Sequence, residues 1–187
     1  MPDEEGFLTW MGEPHAVDRN KVRTLIGDDA KTFLDVGCGA APEFFGLKEV
    51  RPDIEYTGVD ITPRLVDHCQ KGGINALLGS ANDIPFGDAT FDVVHSRHVV
   101  EHMTGFEKPL SEFIRVAKQM VLVVFFIEPT ELPNSEMSDT SEVVYYNRYS
   151  RKVIEDFLSE SAKCGKHEWE QLGGHSTSVL RITIDQQ

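Results

Sequence analysis

The sequence predicts an α/β fold in which helices cover both faces of a largely parallel β-sheet. Three observations carry this prediction. Short apolar segments alternate with helical patterns along most of the chain, which is typical of a doubly wound parallel sheet. A glycine-rich turn follows the first apolar segment at residues 37–39. The last two strand candidates have no helix between them, which predicts an antiparallel pair at one edge of the sheet.

The strand candidates are short runs rich in β-branched and aromatic residues, bounded by turn residues. The run at 120–127, MVLVVFFI, is apolar throughout and suits a strand that is buried on both faces. In chain order the predicted strands are Thr32–Val36, Ile54–Asp60, Ile74–Leu78, Phe91–Ser96, Met120–Ile127, Glu168–Leu172 and Ser178–Ile184.

The helix candidates are segments with an apolar stripe on one face. One ends at Gly27 and carries Val22, Leu25 and Ile26, and one begins at Pro63, which suits the first helical position. A third has Leu110, Phe113, Ile114 and Ala117 at helical spacing. Ser150 is placed to cap a fourth through its hydroxyl oxygen.

Composition excludes several classes of protein. The chain has 187 residues, 31 acidic against 18 basic side chains and a formal net charge of −13. Bulk nucleic-acid binding is therefore not expected, because duplex binding needs a basic face. The three cysteines form no CxxC pair, and the longest apolar run has 8 residues. We expect a cytoplasmic protein with no signal peptide and no membrane span.

The glycine turn and a following acid point to a nucleoside ligand. Asp35-Val36-Gly37-Cys38-Gly39 ends the first strand, and Asp60 ends the second strand 21 residues after Gly39. An acid at this position can bind ribose hydroxyls. Pro42 stands where a dinucleotide loop has its third glycine, and no G-K-[S/T] phosphate loop occurs. A nucleoside without phosphates remains.

Four linked segments resemble the class I S-adenosyl-L-methionine-dependent methyltransferases, in particular the small type 11-like subgroup. Residues 33–39 (FLDVGCG) resemble motif I, and Asp60 resembles the ribose-binding acid of the family. Residues 79–94 resemble the segment between the third and fourth strands, and residues 98–103 resemble the segment after the fourth. The resemblance spans about residues 32–127. It implies a Rossmann-like seven-stranded mixed sheet of order 3-2-1-4-5-7-6, with strand 7 antiparallel.

The resemblance also implies S-adenosyl-L-methionine as cofactor, S-adenosyl-L-homocysteine as product, and a set of binding residues. Backbone atoms of residues 35–39 would surround the methionine part, Asp60 would hold the ribose, and Ile61 would pack on the adenine. By position, the implied cofactor-binding residues are Asp35, Gly37, Cys38, Gly39, Asp60, Ile61, Ser80, Ala81, Asn82, Asp83 and Arg97. Three residues depart from the family pattern, namely Ala41, Ser80 and Arg97. A long cation at Arg97 could crowd the cofactor, reach an anion or turn away.

The fourth-strand exit carries the candidates for chemistry. It reads Arg97-His98-Val99-Val100 rather than the N-P-P-Y of enzymes that methylate amines or nucleobases. Histidine suits deprotonation of a hydroxyl, so His98 and His102 are the candidate bases, with His98 favoured as the one that faces the substrate. An oxygen acceptor is favoured for the same reason. Packing or capping roles for both histidines stay open. The H-x2-H-x3-H spacing at 95–102 spans a strand and a turn, so no metal is expected.

We therefore predict one methyltransferase domain over residues 1–187. Residues 1–30 would form a cap or lid, residues 31–127 the cofactor-binding core, and residues 128–187 the substrate-side loop and terminal antiparallel strands. The acceptor is a small molecule or the exposed end of a larger one, and the chain is a monomer or homodimer. The alternative is a module that binds the cofactor or its product without transferring methyl groups, as a regulatory or partner subunit.

Overall fold

A seven-stranded sheet of order β3-β2-β1-β4-β5-β7-β6 forms the centre of the fold. The computed structural model describes residues 17–132, 136, 145–172 and 177–185. The strands are β1 Thr32–Val36, β2 Glu55–Asp60, β3 Ala76–Leu78, β4 Phe91–Arg97, β5 Ala117–Phe125, β6 Cys164–Gln171 and β7 Ser178–Ile184. The helices are α1 Val17–Arg23, α2 Pro42–Val50, α3 Pro63–Lys71, α4 Glu107–Val116 and α5 Arg151–Ser159, and a 3₁₀ turn spans Val100–His102.

The strand directions confirm the predicted fold class. Strands β1 to β5 pair in parallel, and β7 pairs antiparallel with both β5 and β6. In the register of the sheet Val36 lies opposite Val59 and Ser96. The carboxyl ends of β1, β2 and β4 therefore meet at one edge, where a doubly wound sheet binds its ligand.

The sheet is covered on both faces by apolar helix stripes. Leu34 and Val94 point to one face, where they belong to a buried cluster with Phe113 of α4 and Ile154 of α5. Phe33, Tyr56 and Leu122 belong to a cluster on the opposite face with residues of α1, α2 and α3. Among the described residues, no helix has the length and apolar character to cross a membrane.

The prediction was wrong at the junction of α4 and β5. Ala117, predicted as the last residue of a helical stripe, begins β5 opposite Phe91. The strand continues through Lys118 and Gln119, two polar residues at a shift in the β4–β5 register, which interrupt the apolar pattern of the sequence. It ends at Phe125, so Phe126 and Ile127 lie beyond it. There the backbone N–H of Phe126 bonds to a side chain instead of a strand.

Other boundaries moved by one to four residues. Helix α1 ends at Arg23 rather than at Gly27. Strand β6 begins at Cys164 rather than at Glu168, since its first four residues, CGKH, lack the apolar pattern by which a strand is predicted. Strands β2 and β3 are shorter than predicted at their starts, and β4 includes Arg97. Helix α2, which directly follows the glycine loop, was not predicted from sequence.

Candidate functional site

The glycine loop lies at the carboxyl end of β1. Gly37 and Gly39 have φ values of 76° and 57°, a left-handed conformation that glycine adopts without strain. A Cβ atom at Gly37 would overlap with Val99 of the β4 exit. The N–H groups of Gly37 and Cys38 both donate to the carbonyl of Val59 in β2, at 2.7 and 3.1 Å. The loop is thus held close to the ends of β2 and β4.

Asp60 at the end of β2 is bonded directly to this loop. Its Oδ2 accepts a hydrogen bond from Gly39 N at 2.9 Å, and its Oδ1 accepts one from Thr62 N at 2.8 Å. The side chain is buried, with 7% of the residue exposed. Each carboxylate oxygen has a further lone pair, so Asp60 can accept hydroxyl hydrogen bonds while it keeps both backbone contacts.

Beside Asp60 lies the segment predicted to contact the adenine. Gly79 N donates to the carbonyl of Asp60 at 3.0 Å and brings the 80–83 turn next to the end of β2. Ser80 shapes this turn, since its Oγ accepts from Asn82 N at 3.1 Å and its carbonyl accepts from Asp83 N at 3.0 Å. The other predicted residues here are Ala81, which is buried, and Ile61, which is 72% exposed.

Ile61 and Leu78 give this part of the edge an apolar surface. Both are large aliphatic side chains with more than half of their surface exposed, at 72% and 56%. An apolar surface beside a carboxylate that can bind ribose fits the two halves of adenosine. The residues of the site thus fit the nucleoside of the expected cofactor.

Asp35 lies beneath the loop rather than at its mouth. Its Oδ2 accepts from the Tyr56 hydroxyl at 2.9 Å, and its Oδ1 lies 2.8 Å from His95 Nδ1. Asp35 and His95 are buried, and His95 stacks on Phe33. Burial and the nearby Asp35 carboxylate raise the pKa of Tyr56 well above its ordinary value. The side chain of Asp35 therefore supports the loop from below.

Cys38 is a packing residue under the same loop. Its thiol and that of Cys69 in α3 both lie near the carbonyl of Gly39, at 3.8 and 3.4 Å. The hydrogen bond with Cys69, together with burial, raises the pKa of the Cys38 thiol far above its ordinary value. Because the thiolate is the reactive form of cysteine, Cys38 is not a nucleophile here.

Arg97 turns toward α1, the first helix that the structure describes. As the last residue of β4 it lies next to the glycine loop in the sheet register, and its Nη2 donates to Asp18 Oδ2 of α1. Within the described part of the chain, Arg97 Nε and Nη1 are buried and have no hydrogen-bond partner. Burial lowers the pKa of Arg97 from its ordinary value.

Two arginines of α1 itself join this helix to α2, the helix that follows the glycine loop. Arg19 and Arg23 both form ion pairs with Glu43 of α2, and the three side chains are at most 8% exposed. A Cβ atom at Gly46 would overlap with the Arg23 guanidinium. The first described helix is thereby fastened beside the glycine loop.

His98 and His102 lie together at the β4 exit but have different environments. Phe126 packs against both rings, at centroid distances of 5.1 and 5.4 Å. Burial, followed by the charges of Arg97 and Arg19, lowers the pKa of His98 to about 3. This environment disfavours the predicted role of His98 as a base, since a group with so low a pKa accepts a proton poorly near neutral pH.

His102 keeps the geometry that a base requires. Its Nδ1 lies 2.6 Å from the carbonyl of Tyr145. A carbonyl oxygen can only accept, so Nδ1 carries the hydrogen and Nε2 of the neutral ring is left as acceptor. Tyr146 packs edge-on against the ring at 5.1 Å.

Glu101 is a buried acid between these histidines that the sequence did not single out as a site residue. Its Oε1 accepts from Phe126 N at 2.7 Å, and its carbonyl accepts from Asn147 N at 2.9 Å. Burial raises the pKa of Glu101 to about 7. In the sequence, only its position beside His98 and His102 could have indicated a functional residue. The fold adds that the chain just after β5 packs on Glu101 and buries it.

A cavity of about 400 Å³ opens beyond β5, next to this aromatic cluster. Its lining residues are Phe126, Ile127, Glu128, Pro129, Thr130, Glu131 and Arg148. A second cavity, of about 410 Å³, lies between α4 and the end of α5, away from the glycine loop. Among the residues described, no three His, Cys, Asp or Glu side chains are grouped to hold a metal ion.

Comparisons with known proteins identify a methyltransferase domain in this chain. A methyltransferase-domain family profile matches residues 34–125. An ajmaline N-methyltransferase of Rauvolfia serpentina is 30% identical over 102 residues, which cover 50% of this chain and 35% of that protein. An O-methyltransferase of Aspergillus nomiae is 26% identical over 116 residues, covering 56% and 51%. The chain thus spans about a third to a half of these relatives.

Solved structures show the same fold at low sequence identity. A chain from the complex of the Haloferax volcanii Trm112 methyltransferase activator with a putative methyltransferase has a TM-score of 0.76 and 15% identity, with 98% of each chain covered. A methyltransferase of Thermotoga maritima, described as a possible histamine N-methyltransferase, has a TM-score of 0.67 and 17% identity, with 97% and 94% covered. The named relatives include both N- and O-methyltransferases.

Proposed function

Since residues 34–125 belong to the class I S-adenosyl-L-methionine-dependent methyltransferases of type 11 kind, we propose that this chain transfers a methyl group from that cofactor to an acceptor. S-adenosyl-L-homocysteine is the product. The observation that carries the proposal is the direct bond between the glycine loop and Asp60, 2.9 Å from Gly39 N to Oδ2. This bond brings together a loop whose backbone a ligand can approach closely and an acid that is proposed to bind the ribose.

The residues of the loop edge have proposed roles in binding. The backbone of residues 37–39, and of Asp35 before them, surrounds the methionine part, and Asp60 accepts hydrogen bonds from the ribose. Ile61 packs on the adenine, Ser80 and Ala81 lie beside it, and Asn82 or Asp83 faces its polar edge. When bound, the cofactor supplies an activated methyl group on a sulfonium. The task of the protein is therefore alignment and, where the acceptor needs it, proton removal.

On the acceptor side we propose His102 as the group that receives the proton. Its Nδ1–H is held by the Tyr145 carbonyl, so its Nε2 lone pair is free to accept. His98 stays neutral and is assigned a hydrogen-bonding role, because its Nε2 has no partner within the described residues. A base that faces the acceptor favours a hydroxyl acceptor, which loses its proton on methylation.

The cavity beyond β5 is the proposed acceptor pocket. Phe126 lines it and also packs against both histidines, so the pocket and the proposed base share a wall. Tyr146 is 52% exposed and extends this wall toward solvent. An aromatic wall of this kind can bind a small molecule or the exposed end of a larger one.

The proposed unit is a single domain whose amino-terminal segment caps the cofactor core. Helix α1, from the predicted 1–30 segment, contacts Arg97 and α2 and so supports that division. Cys38, Cys69 and Cys164 are free thiols, which supports a cytoplasmic location. The chain is proposed to act as a monomer or homodimer, without bulk nucleic-acid binding.

A calorimetric titration tests the proposed function. The purified chain is titrated with S-adenosyl-L-methionine, S-adenosyl-L-homocysteine and, as the matched negative ligand, NADH. We expect micromolar binding of the two sulfur nucleosides and none of NADH. Absence of binding by both sulfur nucleosides, or binding of NADH alone, would show that the cofactor assignment is wrong.

Methyl transfer to a panel of hydroxyl, amine and carboxyl acceptors then separates the two candidate functions. Labelled methyl groups on a hydroxyl acceptor would support the proposed enzyme and its oxygen preference. Transfer to amines only would contradict the oxygen preference. Cofactor binding without transfer to any acceptor would favour the regulatory module.

A further inference from the structure

The guanidinium of Arg97 is only partly hydrogen-bonded by its surroundings. One nitrogen, Nη2, donates to Asp18, while Nε and Nη1 have no partner within the described part of the chain. The side chain is 10% exposed. Buried guanidinium groups normally use their fork of N–H donors fully, and the best acceptor for that fork is a carboxylate. Two buried donors without a partner point to an anionic ligand.

The position of Arg97 identifies which anion can reach it. Ser96 lies opposite Val36 in the sheet, so Arg97, the last residue of β4, lies level with Gly37, the first residue after β1. The side chain of Val99, two residues after Arg97, fills the place that a Cβ atom of residue 37 would take. The glycine loop is where the proposed function places the methionine part of the cofactor. The carboxylate of that part is the nearest anion that the reaction supplies.

Asp18 occupies one donor of the guanidinium, Nη2. Its Oδ1 accepts from Arg19 N at 2.9 Å, so its carboxylate is oriented by its own helix. Its side chain is 23% exposed. Asp18 is paired with Nη2, while Nε and Nη1 are buried. Nη2 belongs to both pairs of N–H donors that can hold a carboxylate side by side, so a ligand carboxylate must displace Asp18 to form a bidentate pair.

We propose that Arg97 binds the carboxylate of the cofactor's methionine part, and that Asp18 of α1 occupies the place of that carboxylate until the cofactor displaces it. This inference rests on the proposed function. It makes α1 a cap whose contact with the site is exchanged for a ligand contact. The ion pairs of Arg19 and Arg23 with Glu43 keep the helix attached to α2 during the exchange.

The test compares two ligands that differ in the methionine part. S-adenosyl-L-homocysteine carries the carboxylate, and 5′-methylthioadenosine lacks it but keeps the adenosine. Arg97→Gln is expected to weaken binding of the former by about 10- to 100-fold, the range for a hydrogen-bonded charged group, and to change binding of the latter by less than about threefold. Arg97→Lys, which keeps the charge but not the fork, should give an intermediate loss.

Asp18→Asn should act in the opposite direction. Removing the competing carboxylate is expected to raise the affinity for S-adenosyl-L-homocysteine by about 3- to 10-fold, roughly one neutral-to-charged hydrogen-bond difference. Binding of 5′-methylthioadenosine should not change, and the gain should vanish in the Arg97→Gln background. The matched control is Asp29→Asn, which removes an exposed carboxylate before β1, at the opposite edge of the sheet.

The outcomes separate this inference from the proposed function. If the unmodified chain binds neither nucleoside, the proposed function fails and the inference fails with it. If it binds both and Arg97→Gln weakens them equally, or weakens neither, the carboxylate assignment alone is overturned. A loss of affinity in Asp18→Asn would overturn the exchange, because Asp18 would then support the bound state. Circular dichroism of each variant checks that the fold is retained.

Discussion

Replacing Glu101 by glutamine should make stability less dependent on pH. Glu101 lies in the 3₁₀ turn after β4 and has 0% of its surface exposed. Its Oε1 accepts from the N–H groups of Phe126 and Ile127, at 2.7 and 3.4 Å, while Oε2 has no partner within the described residues. Burial raises its pKa to about 7, and the two N–H groups and Arg97 oppose that shift.

The raised pKa fixes the direction of the effect. Between the ordinary pKa of 4.5 and a folded pKa of about 7, the folded state binds a proton that the unfolded state has lost. Stability therefore decreases as the pH rises through this range. For pKa values of about 4.5 and about 7, the loss between pH 5 and pH 8 is about 2 to 3 kcal/mol. Glu101→Gln carries no such loss.

Urea denaturation at pH 5 and pH 8 measures this difference. The quantity to compare is the difference in the free energy of unfolding between Glu101→Gln and the parent chain, taken at each pH. The cost of burying an amide in place of the carboxyl group is the same at both pH values, so it cancels in this comparison. We expect the variant to gain about 2 kcal/mol over the parent chain on going from pH 5 to pH 8. Equal effects at both pH values would refute the reasoning, since Glu101 would then titrate normally.

Glu112→Gln is the matched control, with the opposite sign. The hydrogen bond from Arg115 lowers the pKa of Glu112, and the two groups are 2.8 Å apart. A lowered folded pKa gives stability that is present above the unfolded pKa and is lost as the pH falls. The glutamine variant should therefore be destabilised at pH 8, and this penalty should shrink below about pH 4, near the ordinary glutamate pKa.

Three further predictions concern the site itself. Asp60→Asn should weaken S-adenosyl-L-homocysteine binding by about 10-fold or more, because an amide nitrogen replaces an acceptor oxygen; calorimetry checks it, and unchanged affinity would remove the ribose assignment. Gly37→Ala should cost about 1 to 3 kcal/mol in urea denaturation, because φ is positive and its methyl overlaps Val99; an unchanged midpoint would contradict it. His102→Gln should lower kcat on a hydroxyl acceptor more than His98→Gln does, with cofactor affinity kept in both; the reverse order in steady-state assays would return the base role to His98.

The fold was predictable because its signals are local. A glycine turn after one apolar run and an acid at the end of the next place β1 and β2 side by side, and the helixless pair at the end of the chain predicts the antiparallel β6 and β7. The start of β5 was not predicted, because Lys118 and Gln119 are polar and lie where the β4–β5 register shifts, between the Phe91–Ala117 and Val93–Met120 pairs. A local irregularity of this kind leaves no apolar pattern in the sequence.

Within the candidate site, the sequence predicted the positions that depend on backbone geometry alone. The positions of Gly37, Gly39 and Asp60 follow from strand ends that meet at one edge. The partners of Arg97 and Glu101 do not, since they lie on α1 and beyond β5, far away in sequence. A side chain that acts through a distant partner leaves no spacing pattern for a single sequence to display.

The two histidines illustrate how that distant context assigns roles. His98 and His102 are four residues apart and contact the same phenylalanine, and the sequence favoured His98 as the base. Burial, and after it the charge of the adjacent Arg97, lowers the pKa of His98 to about 3. His102 instead meets a backbone carbonyl, which sets its tautomer and leaves Nε2 to accept a proton. Burial and the neighbouring cation thus disfavour His98 as a base, and we propose that His102, four residues further along the chain, receives the proton.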